Sequence, residues 1–124
     1  MVSILLDPGP DAEPIRERVE SLGESVHVPH LLDVEVLNVL RHQTLRGILA
    51  GERGARVLQD LESIKMTRYP HAPLLRRIWN LRENLTTYDA AYVALAEALD
   101  VPLVTKDARL AQAPGNRATV ELYQ

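Results

Sequence analysis

The pattern of apolar and polar positions divides this chain into short strands and longer helices. The clearest stretch runs over 84–110. Within it, 86–99 is alanine-rich and free of Gly and Pro, which predicts a helix capped by Thr86 or Thr87. Residues 101–105 form a short apolar strand between Asp100 and Lys106, and Asp107 opens a turn.

The other segments follow in order. Residues 1–6 are apolar except for Ser3 and stop at Asp7-Pro8-Gly9-Pro10; so short a run fits either a strand or the end of a helix. A helix is predicted over 11–22, with Asp11 as N-cap, Pro14 in its first turn, and Ile15, Val19 and Leu22 as its apolar stripe. Gly23 ends it, and 25–28 is a strand closed by Pro29. The helix predicted over 30–45 begins with so many apolar residues that its start is expected to be buried, with Asp33, Glu35 and Asn38 as exceptions. Gly47 and Gly51 bracket a turn before an amphipathic helix over 52–62. A strand over 64–69 stops at Pro70, and a helix over 72–82 is expected to bury Leu74, Leu75, Ile78, Trp79 and Leu81. Residues 110–116 read as a loop and 118–122 as a last strand.

Strands separated by helices imply an α/β fold, a parallel sheet with helices on both faces. At 124 residues the chain is one domain, 1–124, large enough to enclose a core. There is no cysteine, which excludes disulfides, zinc–thiolate sites and thiol catalysis. The longest apolar stretch is interrupted by Asp89, Glu97 and Asp100, so no segment spans a membrane. No signal peptide is visible, and a cytoplasmic protein is expected. With a net charge of −3, any polyanion the chain handles must meet a local basic patch or a bound metal.

The candidate chemistry lies in carboxylates. Glu35 shares a helical face with Leu31, Leu32 and Val39, so it needs a partner or a metal. Asp89 lies in the first turn of its helix. It fits both a capping box, Thr86-x-x-Asp89, and a ligand role. Asp107 lies just past the strand at 101–105, at the edge where open α/β sheets bind ligands, and it too could serve as a cap. Asp33 reads as an ordinary first-turn acid and Asp100 as a solvated helix-end residue. Acids converging from separate elements suit Mg²⁺ or Mn²⁺. The four histidines are scattered without a zinc spacing, no serine has a nucleophile-elbow context, and no Gly-rich phosphate loop occurs. Arg109, two residues from Asp107, is the best placed arginine for a phosphate.

Three segments carry a family resemblance: Pro-His-Leu-Leu-Asp-Val-Glu-Val at 29–36, Ile-Trp-Asn-Leu-Arg-Glu-Asn-Leu-Thr-Thr-Tyr-Asp-Ala-Ala-Tyr-Val-Ala-Leu-Ala-Glu at 78–97, and Leu-Val-Thr-Lys-Asp-Ala-Arg-Leu at 103–110. In these the chain resembles the PIN-domain toxin ribonucleases, the VapC-like half of bacterial toxin–antitoxin pairs. The resemblance implies a three-layer PIN-like fold and a Mg²⁺-dependent endoribonuclease, with Mn²⁺ as a substitute ion. It also implies an RNA substrate, a cognate antitoxin and a homodimer. By the same resemblance Glu35, Asp89 and Asp107 are the metal-holding and catalytic acids. The family carries a fourth acid at the end of its first strand, followed by small residues, an apolar helix and a Gly/Pro turn. Aligned so, residues 1–6 correspond to that apolar helix and Asp7–Pro10 to the turn after it, which implies that the first strand and its acid are missing, through a start codon set too far downstream or a remodelled N-terminus. The competing reading pairs 2–6 as a strand with Asp7 at its end. If the first acid is lost, the alternative function is an impaired module that binds antitoxin without cleaving RNA.

Overall fold

The computed structural model describes residues 2–5, 15–22, 25–105 and 109–122. Five strands form one sheet: β1 (Val2–Leu5), β2 (Ser25–Pro29), β3 (Thr67–Tyr69), β4 (Leu103–Thr105) and β5 (Val120–Leu122), in the order β3-β2-β1-β4-β5. Every pairing is parallel. The helices are α1 (Ile15–Ser21), α2 (Leu31–Leu45), α3 (Gly51–Ser63), α4 (Leu75–Asn80), α5 (Thr87–Leu99) and α6 (Arg109–Gln112), with a 3₁₀ turn at Ala72–Leu74.

One sequence expectation is corrected at the N-terminus. Val2–Leu5 is not the helix that the family alignment implies but the central strand, with Ile4 beside His27 on one side and Leu103 on the other. The physical reason is hydrogen bonding: without β1, the facing edges of β2 and β4 would leave N–H and C=O groups unmatched inside the sheet. Asp7, the candidate replacement for the fourth acid, lies outside the described residues.

Handedness assigns the layers. The connections β1→β2 and β2→β3 step one way across the sheet and β3→β4→β5 the other, so right-handed crossovers put α1, α2 and α3 on one face and α4, α5 and α6 on the opposite one. The observed packing agrees, α3 contacting α1 and α2 while α4 packs on α5.

α5 is the inner helix of its layer. Every residue from Ala90 to Ala96 is buried, which explains the alanine-rich body: small side chains let the helix lie close against β1, β2 and β4. α2 and α3 bury narrower stripes, Leu32, Val36 and Leu40 against Gly54, Val57 and Leu61. A Cβ on Gly54 would come within 3.1 Å of Thr44 Cγ2, so the glycine permits the close approach of these two helices. The start of α2 is less buried than its composition suggests, because only one side of it meets the protein; Val34 is 64% exposed. In the 74–81 segment Leu74, Ile78 and Leu81 point inwards at i, i+4 and i+7, which turns Leu75 and Trp79 outwards, at 61% and 65% exposure, against expectation. The stretch expected as loop after Arg109 begins with the short α6.

Side chains tie down two helix ends. His71 Nε2 accepts the N–H of Leu31 at 3.1 Å, serving as the acceptor that the first turn of α2 lacks locally. His71→Ala is expected to cost about 1 kcal/mol, roughly 4 °C in Tm, measured by thermal unfolding.

At the far end of α5, Arg77 grips Glu97 through two hydrogen bonds of 2.7 and 3.0 Å and also reaches Gly115 O at 2.6 Å. Glu97 Oε2 accepts the Arg117 N–H as well, at 2.8 Å. Burial alone would raise the Glu97 carboxyl, but the hydrogen bonds from Arg77 and Arg117 reverse this and hold it below the usual carboxylate range. Because the folded value is depressed, the stability it supplies is complete above the unfolded glutamate value and drains as pH falls through the folded one. The Tm gap between wild type and Glu97→Gln is therefore expected to be widest near neutrality and to narrow below about pH 4. Melts across that range check this, and a constant gap contradicts it.

Candidate active site

Strand order reverses between β1 and β4, because the chain leaves β1 towards β2 and returns to β4 on its other side. The carboxyl ends of those strands flank the crevice where doubly wound folds take ligands. Two helix N-termini lie at the same edge. α2 starts directly after β2, and α5, which runs down into β4, must start at the carboxyl side.

These helices carry two of the expected acids. Asp89 is in the first turn of α5, and its backbone N–H donates to Thr86 Oγ1 at 3.1 Å. The Thr86 cap thus engages the main chain of Asp89. Glu35 lies one turn into α2, and both acids are half-buried. Tyr92 joins them. It sits one turn after Asp89 on the same face of α5, it is 1% exposed, and its hydroxyl donates to Glu35 Oε1 at 2.5 Å. An acid-bearing helix from each layer is therefore connected at this edge through a single phenol.

Asp107, the third expected acid, lies outside the described residues, two positions past the fully buried Thr105 at the end of β4. Arg109 is exposed at the first position of α6. Among the described residues no group of three or more His, Cys, Asp or Glu side chains stands in metal-binding proximity. What is described there is an all-oxygen set, two carboxylates and a phenol, in a chain without thiols, and such a set suits a hard divalent cation.

Two further acids have local partners or positions. Asp33 takes Arg68 at 2.7 Å, and Arg68 also donates to Leu61 O, tying α2 to the end of α3. Asp100 is the exposed C-cap of α5, in the left-handed conformation at φ 54°, at the opposite edge of the sheet. The histidines act in packing: His27 Nδ1 meets the Tyr69 hydroxyl, and His30 lies edge-on to His71. Among the described residues no helix is long and apolar enough to cross a membrane.

Comparison with known proteins agrees with this fold. The PIN domain profile matches residues 1–116. Ribonuclease VapC1 of Mycobacterium tuberculosis is 48% identical over 105 residues, covering 83% of this chain and 79% of that protein. Ribonuclease VapC9 of the same species is 50% identical over 88 residues, covering 71% and 69%. Among solved structures, PAE2754 from Pyrobaculum aerophilum superposes with a TM-score of 0.65 at 25% identity, covering 96% of this chain and 83% of that one. VapBC2 from Rickettsia felis, solved bound to a DNA fragment from its promoter, gives a TM-score of 0.64 at 15% identity, covers both chains fully and so speaks for the fold alone. With the profile spanning nearly the whole sequence and such relatives covering most of it, the chain belongs to the PIN-domain family, on the branch of the VapC ribonucleases.

Proposed function

We propose that this protein is a Mg²⁺-dependent endoribonuclease, the toxin of a toxin–antitoxin pair, acting in the cytoplasm on RNA phosphodiester bonds. The observation that supports the reading is the hydrogen bond from Tyr92, one turn after Asp89 on α5, to Glu35 on α2, which links the two acid-bearing helices at the carboxyl edge of the sheet. Its wider support is the high identity to proteins named as ribonucleases.

Glu35, Asp89 and Asp107 would hold the divalent ion, Mg²⁺ with Mn²⁺ as substitute. When bound, the ion polarises the scissile phosphate and makes hydroxide available near neutral pH. The protein's own residues supply the rest. The acids concentrate negative charge at one rim, which repels phosphate until a cation balances it. Arg109, exposed and just past Asp107 in sequence, is the expected phosphate contact. A cognate antitoxin protein and a second copy of this chain are the expected partners.

The reading is tested by removing the ion. Chelation with EDTA is expected to abolish cleavage of a structured RNA, and added Mg²⁺ or Mn²⁺ to restore it, followed on denaturing gels. Cleavage that persists in metal-free buffer contradicts the proposal.

A further inference from the structure

We infer that Tyr92 is a positioning residue for the metal centre: its buried hydroxyl orients the Glu35 carboxylate and couples its placement to that of Asp89. The inference rests on the reading of Glu35 and Asp89 as metal-holding acids.

Three observations carry it. The first is geometric. Tyr92 is 1% exposed, inside a run of buried residues on α5, so its ring has no room to swing and its hydroxyl is presented at one place. A glutamate side chain, by contrast, has several rotamers to lose when held still. Anchoring it to a rigid phenol prepares the carboxylate in advance of the ion.

The second observation is electrostatic, and a neighbour on the same helix shows the contrast. Asp33 is matched by the Arg68 guanidinium at 2.7 Å, which balances its charge. Glu35 receives a hydrogen bond of 2.5 Å from a phenol, a donor that brings no charge of its own. A phenol of this kind orders a carboxylate and adds no positive charge of its own.

The third is placement. Tyr92 follows Asp89 by one helical turn, so α5 supplies one acid directly and orients the other, which is borne by the opposite layer. A shift of α5 moves both together. Outer partners of this kind orient ligating carboxylates in metal sites generally.

The test uses Mn²⁺ as a spectroscopic probe on the intact chain, without RNA. Mn²⁺ dissociation constants are measured by electron paramagnetic resonance for wild type, Tyr92→Phe, Glu35→Gln, Asp89→Asn and the Tyr92→Phe/Glu35→Gln double variant, and metal-free melting curves are recorded for each. Tyr92→Phe keeps the ring and removes the hydroxyl alone. It is expected to weaken Mn²⁺ about tenfold. In the Glu35→Gln background the same change is expected to have little further effect, because the group it positions no longer ligates.

Wild-type affinity in Tyr92→Phe overturns the inference and leaves the proposed function standing. A loss of undiminished size in the Glu35→Gln background also overturns it, because the effect then runs through the fold. Equal Mn²⁺ binding by wild type and Asp89→Asn overturns the metal reading itself, and the inference with it. If Tyr92→Phe does not fold, the wild-type protein still decides the matter. The Tyr92 hydroxyl proton, sheltered from exchange, is expected to shift in the proton NMR spectrum as Mg²⁺ is added, and an unmoved resonance counts against the role.

Discussion

Asp89→Asn is expected to lower RNA cleavage about a thousandfold, equivalent to several kcal/mol of transition-state stabilisation, while the protein stays folded. Both halves of this outcome follow from how the residue is used. The hydrogen bond to Thr86 Oγ1 comes from the Asp89 backbone N–H, which asparagine retains, so the cap survives. The lost charge also weakens the interaction with the helix dipole, worth about 0.3–1 kcal/mol. In the proposed mechanism the chemistry depends on that charge, Asp89 being one of the acids that would hold the cation. Cleavage and melting measured on the same preparation separate the two effects. Undiminished cleavage removes Asp89 from the mechanism, and a collapse of stability shows that the carboxylate was structural after all.

The largest expected stability effect is at Leu103. It is fully buried in β4, with β1 on one side and β5 on the other, and its N–H is already committed to Thr119 O at 2.8 Å. Leu103→Ala leaves a hole that neighbouring strands cannot close without breaking register, and a cost of about 2–5 kcal/mol is expected. Small domains hold only about 5–15 kcal/mol in total, so much of the population unfolds at moderate denaturant. Urea titration checks this: the midpoint is expected to fall with the slope unchanged. A loss below about 1 kcal/mol would mean that the site repacks.

The sequence exposed local features well. The cap at Thr86, the alanine-rich helix behind it and the strand before Asp107 each depend on residues a few positions apart, and the structure has α5 and β4 there. Features set by distant partners were less legible. A six-residue apolar run carries no period, so β1 is defined only by pairing with β2 and β4, which lie far off in the chain. Leu75 and Trp79 looked like core because they are apolar at helical spacing, but a helix of six residues has an inner and an outer apolar stripe, and only packing decides between them. Of the candidate site, Glu35 stood out because an acid on an apolar stripe is costly, whereas the ion pair of Asp33 with Arg68, 35 positions on, had no local signal. Tyr92 was not singled out in the sequence. Its signal was present all the same: a hydroxyl in the middle of a buried helix must find an acceptor, and the acceptor is Glu35.

The position of β1 also bears on when such an enzyme becomes dangerous to its maker. Ile4 lies beside Leu103, so β1 waits for the much later β4 before both its edges are matched. Contacts this remote incur their loop-closure cost before they give anything back, and a ribosome extends the chain by only about 5–20 residues each second. On a growing polypeptide the crevice between β1 and β4 does not yet exist. Translation therefore runs past β4 before the nuclease can form, an interval in which a neutralising protein can meet the fold as it closes.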